Sequence, residues 1–139
     1  MKNKGTEDHG VIRSDFPGGW SNDQVNSFTG KGLSKSQLEI KNYIAKLFNW
    51  RKNNTIIHKG NLIHFATTNN VYVFFRYIEN EKIMVVLNKD DDSMTINMKE
   101  YEEVLKGNLT GRDILTEKHF KDVNSLTIAG KSALVIELE

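Results

Sequence analysis

The sequence predicts a mainly β protein with an N-terminal helix: an antiparallel β-sandwich preceded by a long loop and a single helix. Three observations predict it. Apolar residues recur at helical spacing before residue 55 and at a spacing of two after it. The later runs are β-branched and aromatic, and short polar turns join them. The stretch ahead of the helix is rich in glycine and carries the only proline.

Residues 1–33 form the loop. Phe16, Trp20 and Phe28 punctuate it too irregularly for either period, and a structureless loop of this length inside a compact domain is either functional or removed from its native surroundings. The helix begins after Ser34. Ser34 stands at N-cap and Gln37 at N3, a capping box, with Leu33 and Leu38 placed as a hydrophobic staple. Ile40, Tyr43, Ile44, Leu47, Phe48 and Trp50 then follow at helical spacing, and the pattern fades at Lys52-Asn53-Asn54, which predicts a helix over about 35–52.

Strands come next. Val71–Ile78 and Lys82–Asn88 are joined by Glu79-Asn80-Glu81 as a hairpin, and the first run is apolar on both faces, so it reads as a central strand buried on both sides. Shorter strands are predicted at Asn61–Ala66, Ser93–Met98, Ser125–Ile128 and Ser132–Leu138, six to eight in all. Lys99–Lys106 reads as a short helical turn ended by Gly107. Helix and sheet look like parts of different domains, residues 1–54 and 55–139.

Composition narrows the function classes. With 139 residues, 38% hydrophobic and 27% charged, the chain is an ordinary globular domain. Nineteen Lys and Arg are interspersed with eighteen Asp and Glu, which disfavours nucleic acid and anionic membranes as partners. The absence of cysteine removes disulfides and thiolate chemistry. The polar first ten residues lack the apolar core of a signal peptide or anchor. As it stands the chain reads as cytoplasmic, with the compartment of any longer parent, periplasmic included, left open.

No residue set points to a cofactor or a metal. His9, His58, His64 and His119 lack the helical i, i+4 spacing of a zinc-binding hydrolase, although His58 and His64 are placed to share a sheet face. Asp90-Asp91-Asp92 lacks the alternating oxygens and distal glutamate of a calcium loop and reads as a solvated turn. Gly30-Lys31-Gly32 lacks the preceding strand of a phosphate loop.

The informative segment is Gly10-Val-Ile-Arg-Ser-Asp-Phe-Pro-Gly-Gly-Trp20. Phe28-Thr-Gly30 and Gly32-Leu33 follow it, then Asn49-Trp-Arg-Lys52, Ile57-His58 with Gly60, Val71-Tyr72-Val73 and Met84-Val-Val-Leu-Asn88. In content and order these landmarks resemble the end of enzymes in the neopullulanase, cyclomaltodextrinase and α-amylase group of glycoside hydrolase family thirteen, the Bacteroides-like branch above all. The resemblance covers nearly the whole chain. It implies that the loop is the last βα loop of a (β/α)8 barrel, the helix its last helix, and the sheet the C-terminal β domain. It also implies that Asp8 and Arg13 contact substrate and that Trp20 stacks on a glucose ring, against the plainer reading in which Arg13 pairs with Asp15 and the loop aromatics are anchors.

The family's retaining chemistry on α-1,4-glucans needs two carboxylates about 5–5.5 Å apart. By the resemblance these come from earlier strands of a barrel that takes about 250 residues. The expectation is therefore a C-terminal fragment of such a hydrolase, non-catalytic by itself and contacting α-glucan weakly. The alternative is a stand-alone carbohydrate-binding or protein-interaction module, which would expose two or three aromatics on one face. The apolar arc of the helix, about 160° against the roughly 100° that one core requires, predicts a homodimer through the helix at 35–52 and the N-terminal arm.

Overall fold

The computed structural model describes residues 15–107 and 110–139. Their contacts form two compact units, one reaching to Ala45 and the other running from Lys46 to Glu139.

In the first unit, the loop ahead of the helix is built from short-range bonds. Asp23 accepts through Oδ2 from the backbone N–H groups of Gly18 (2.7 Å) and Trp20 (3.1 Å). Asn26 accepts through Oδ1 from Phe28 and Thr29, both at 2.9 Å. These are the side-chain-to-backbone turns that Asp and Asn favour. Helix α1, Lys35–Lys52, follows. Its capping box is closed: the Ser34 N–H donates to Gln37 Oε1 at 2.9 Å, and the Gln37 N–H to Ser34 Oγ at 3.3 Å. Arg51 and Lys52 in its last turn complement the helix dipole.

The second unit takes the C-terminal part of α1 and adds α2, Thr55–Lys59, a five-residue helix capped by Asn54. It is too short to show a period, and sequence reading missed it. His58 therefore lies on a helix and shares no sheet face with His64, contrary to expectation. Eight strands follow: β1 Asn61–His64, β2 Val71–Ile78, β3 Glu81–Asn88, β4 Met94–Asn97, β5 Gly111–Asp113, β6 His119–Phe120, β7 Ser125–Ile128 and β8 Ser132–Leu138. A 3-10 turn, Met98–Tyr101, and helix α3, Glu102–Leu105, sit between β4 and β5. Lys106 caps the C-terminus of α3 in the left-handed region (φ 46°), and the predicted Gly107 follows it there (φ 87°).

Six strands form one antiparallel sheet in the order β1-β2-β3-β8-β5-β6, and β4 pairs with β7 in a second. The β2–β3 hairpin turns on Glu79-Asn80, with Ile78 opposite Glu81 and Glu79 in the left-handed region (φ 51°). β2 is central, as its sequence predicts, between β1 and β3.

The period of two sorts the large sheet into two faces. Its inner face contributes Val71, Val73 and Phe75 from β2, Met84 and Val86 from β3, and Ile136 and Leu138 from β8. These pack with Ile96, Met98, Tyr101, Leu105, Leu126 and Ile128 from the smaller sheet and the helical turns. Phe65 meets Phe75 and Tyr101 edge-on in this core, and Phe75 meets Tyr101 at a tilt, with ring centroids 4.7–6.0 Å apart. On the outer face, Ile83, Val135 and Ile114 are buried beneath Leu47 and Trp50 of α1 and Ile56 and Ile57 of α2. The rest of that face is more open than predicted. Tyr72 and Phe74 are half-buried, so the buried positions of β2, Val71, Val73 and Phe75, all lie on its inner side.

Candidate functional site

Three surfaces qualify as sites. The first is the glycine-rich loop with Trp20. Asp8 and Arg13, the charged residues implied as sugar contacts, lie outside the described residues, as does His9. Trp20 is 67% exposed, beside Phe16 at 60% and Phe28 at 70%. Phe16 and Phe28 meet ring to ring, 5.2 Å between centroids.

The loop geometry that presents them depends on glycine. Gly18 (φ 97°) and Gly32 (φ 75°) both occupy the left-handed region, and a Cβ at either would come within 2.7 Å of Asn26 Cγ or of the Gln24 carbonyl oxygen, respectively. Lys41 of α1 donates to the Phe28 carbonyl at 3.0 Å, which ties the loop to the helix. Ile40, Tyr43, Ile44 and Phe48 nevertheless remain exposed on α1.

The second surface is the outer face of the large sheet. On one part of it a charged network fastens the last turns of α1, from Lys46 on. Lys46 Nζ lies 2.6 Å from Glu117 Oε1, Arg112 bridges Glu117 (3.0 Å) and Glu137 (2.9 Å), and Trp50 Nε1 donates to Glu137 Oε1 at 2.7 Å. Lys46 also donates to the Leu115 carbonyl at 2.8 Å. Glu117 is held below the usual carboxylate range, chiefly by its hydrogen bond from Lys46, and Arg112 is raised above its own range by the bond to Glu137. Every charge is thus matched, and the network is a fastening with no group left over for chemistry. Farther along the same face His64, Tyr72 and Phe74 form an aromatic row, with centroids 6.3 and 5.6 Å apart.

The third surface is a groove of about 740 Å³ at the tip of the β2–β3 hairpin, lined by Ile63, Tyr77 and Val104 with Glu79, Asn80, Lys82, Glu103 and Lys106. Lys82 lies on the inner face of β3 and is only 8% exposed. Its Nζ donates to the Leu105 carbonyl at 3.2 Å, and burial, with Lys106 nearby, lowers its pKa. Sequence reading missed this groove, since its walls come from three separate segments, around Ile63, Tyr77–Lys82 and Glu103–Lys106. The one available signal was a lysine at a position where the alternation Met84, Val86 calls for an apolar residue.

Among the described residues no group of three His, Asp or Glu side chains is placed to hold a metal, and no helix is long and apolar enough to cross a membrane. The Asp90–Asp92 run is a turn: Asp90 accepts from Asn70 at 2.9 Å, Asp91 pairs with Lys131 at 3.6 Å, and buried Asn88 donates to the Asp92 carbonyl at 2.9 Å.

The sequence profile of the Cyclo-malto-dextrinase C-terminal domain family matches residues 62–137, more than half of the chain and nearly all of the sheet. Among solved structures, the fold is similar to AmyP in complex with maltose, at 17% identity and a TM-score of 0.65, over 78% of this chain and 22% of that one. It is also similar to a maltogenic amylase from S. marinus (21% identity, TM-score 0.54, 73% of this chain and 12% of that one). A debranching enzyme from Nostoc punctiforme gives 20% identity and a TM-score of 0.54 over 72% of this chain and 20% of that one. The chain thus spans less than a quarter of the length of these structures.

Proposed function

The chain belongs to the cyclo-malto-dextrinase C-terminal domain family, and from that premise we propose that it is the accessory β domain of an α-amylase or neopullulanase-like glycoside hydrolase acting on α-1,4-glucans, without catalysis of its own. One observation carries the reading. The family match falls on the sheet, which is the C-terminal domain and not the catalytic barrel, and the similar structures are enzymes named for amylase and debranching activities. In this reading residues 1–54 derive from the last loop and helix of the barrel, residues 55–139 are the β domain, and the landmarks between Gly10 and Asn88 favour the Bacteroides-like branch. Asp8, Arg13 and Trp20 are its sugar contacts, and the exposure of Trp20 suits ring stacking.

The test is hydrolysis. Purified chain incubated with starch, pullulan or cyclodextrin is expected to release no reducing sugar above a buffer blank. Turnover that co-purifies with the chain, and disappears when one of its own acidic residues is replaced, overturns the reading.

A second reading, a stand-alone carbohydrate-binding or interaction module, draws support from the half-exposed Tyr72 and Phe74 beside His64, since stacked aromatics on one face are what such modules use. Retardation of the chain in a starch-containing native gel, abolished by Tyr72→Ala, would favour it. We further propose self-association through α1. Ile40, Tyr43 and Ile44 are exposed on α1, apolar side chains that a second copy covers by symmetric helix contact or exchange of the N-terminal arm.

A further inference from the structure

We propose that the groove at the tip of the β2–β3 hairpin is a binding site for a neutral α-glucan segment, separate from the loop that carries Trp20. The choice of α-glucan among neutral sugars rests on the function proposed above. The groove itself supplies the rest of the argument.

It exists because the two layers are unequal. The arms of the β2–β3 hairpin are eight residues each, whereas β4 and β7 are four. The inner-face row Val73, Phe75, Tyr77 therefore ends in a half-exposed tyrosine, which faces α3 across an opening instead of a second strand layer. The walls are tied together, because Lys82 on the hairpin donates to Leu105 at the end of α3. A groove fixed in this way loses little entropy when a ligand enters.

Its chemistry is that of a sugar site. Tyr77, with Ile63 and Val104, offers an aromatic and aliphatic wall for the C–H face of a pyranose. Around it stand the carboxylates of Glu79 and Glu103 and the ammonium groups of Lys82 and Lys106, with the Asn80 amide at the turn. Two negative and two positive groups leave no net field to select an ion, and with Lys82 engaged at Leu105 it is Glu79, Glu103, Lys106 and Asn80 that give acceptors and donors suited to hydroxyl groups. The volume lies within the range of small-molecule sites.

The experiment is a nuclear magnetic resonance titration of the 15N-labelled full chain with maltotriose, and with cellotriose as the β-linked comparison. Maltotriose is expected to shift the amides of residues 77–82 and 103–106, and cellotriose to shift them less. Tyr77→Ala and Glu103→Ala should each weaken maltotriose binding about five-fold, while Tyr77→Phe keeps it. Glu103 is exposed, so its variant keeps the test sound if Tyr77→Ala fails to fold. Shifts confined to the Trp20 loop or the Tyr72–Phe74 face, no shifts at all, or variants that bind unchanged would overturn the site. Equal binding of cellotriose would overturn the ligand assignment. The accessory reading fails separately, through hydrolysis by the chain itself. An inert chain with a silent groove removes this proposal alone.

Discussion

Single residues in this fold earn their place by burial or by bonding, and the two kinds differ in how well sequence reveals them. Phe75 is fully buried in the inner core against Phe65 and Tyr101. Phe75→Ala should cost about 3–5 kcal/mol, as a large core truncation does, read as a lower urea midpoint at unchanged slope. Its period-two setting in a β-branched run made it legible as core. Asp113 was not legible. It lies in a three-residue strand, fully buried, and its carboxylate accepts from the Val135 N–H (3.0 Å), the Thr116 N–H (3.0 Å) and the Thr116 hydroxyl (2.6 Å). Nothing in the local pattern distinguishes an aspartate that joins β5 to β8 from one that faces water. Asp113→Ala strands these donors and should cost about 1–3 kcal/mol in the same urea experiment.

The elements divide along a similar line. Helix α1 was legible from end to end, since capping box and apolar stripe agree. Ser34→Ala should cost about 1 kcal/mol of its stability, seen as fraying of the first turn by hydrogen exchange. Strands β5 and β6, with three and two residues, carry too little pattern to be found. The fastening of α1 on the sheet was invisible for the same reason, because Arg112, Glu117 and Glu137 become neighbours only after the sheet has formed. Glu117 gives that fastening a pH dependence. Its carboxyl is depressed, first by the bond from Lys46, so its contribution is fully present above the ordinary value of 4.5 and is lost as pH falls through the lower folded value. Trp50 fluorescence, followed in a Trp20→Phe background, should report loosening of the helix on acidification from pH 6 to 3. The loosening should begin at higher pH in Lys46→Ala, and added salt should weaken the pairing at any pH.

At the scale of the molecule, the hairpin 71–88 and the strand packed on it hold the inner core, whereas the loop 15–30 is bonded mainly within itself, with a tie to α1 through Lys41, and its aromatics are exposed. Hydrogen exchange should protect residues 71–88 most and 15–30 least; the opposite order would mean that the core lies elsewhere. Light scattering after size exclusion should give twice the chain mass at micromolar concentration if a second copy covers α1, and Tyr43→Glu should return the mass to that of one chain. Sandwich architecture was legible because strand runs and turns alternate regularly. How much of each sheet face is covered was not, since that depends on strand lengths in the opposite layer. The docking of α1 bears finally on protein engineering. A chimera that transplants this β domain with a junction at residue 55 would deliver Ile83, Ile114 and Val135 without Leu47 and Trp50, and would leave Glu137 without its indole partner. A junction placed ahead of Lys46 lets the graft bring its own cover, so the shorter transplant should be the one that aggregates in a foreign host enzyme.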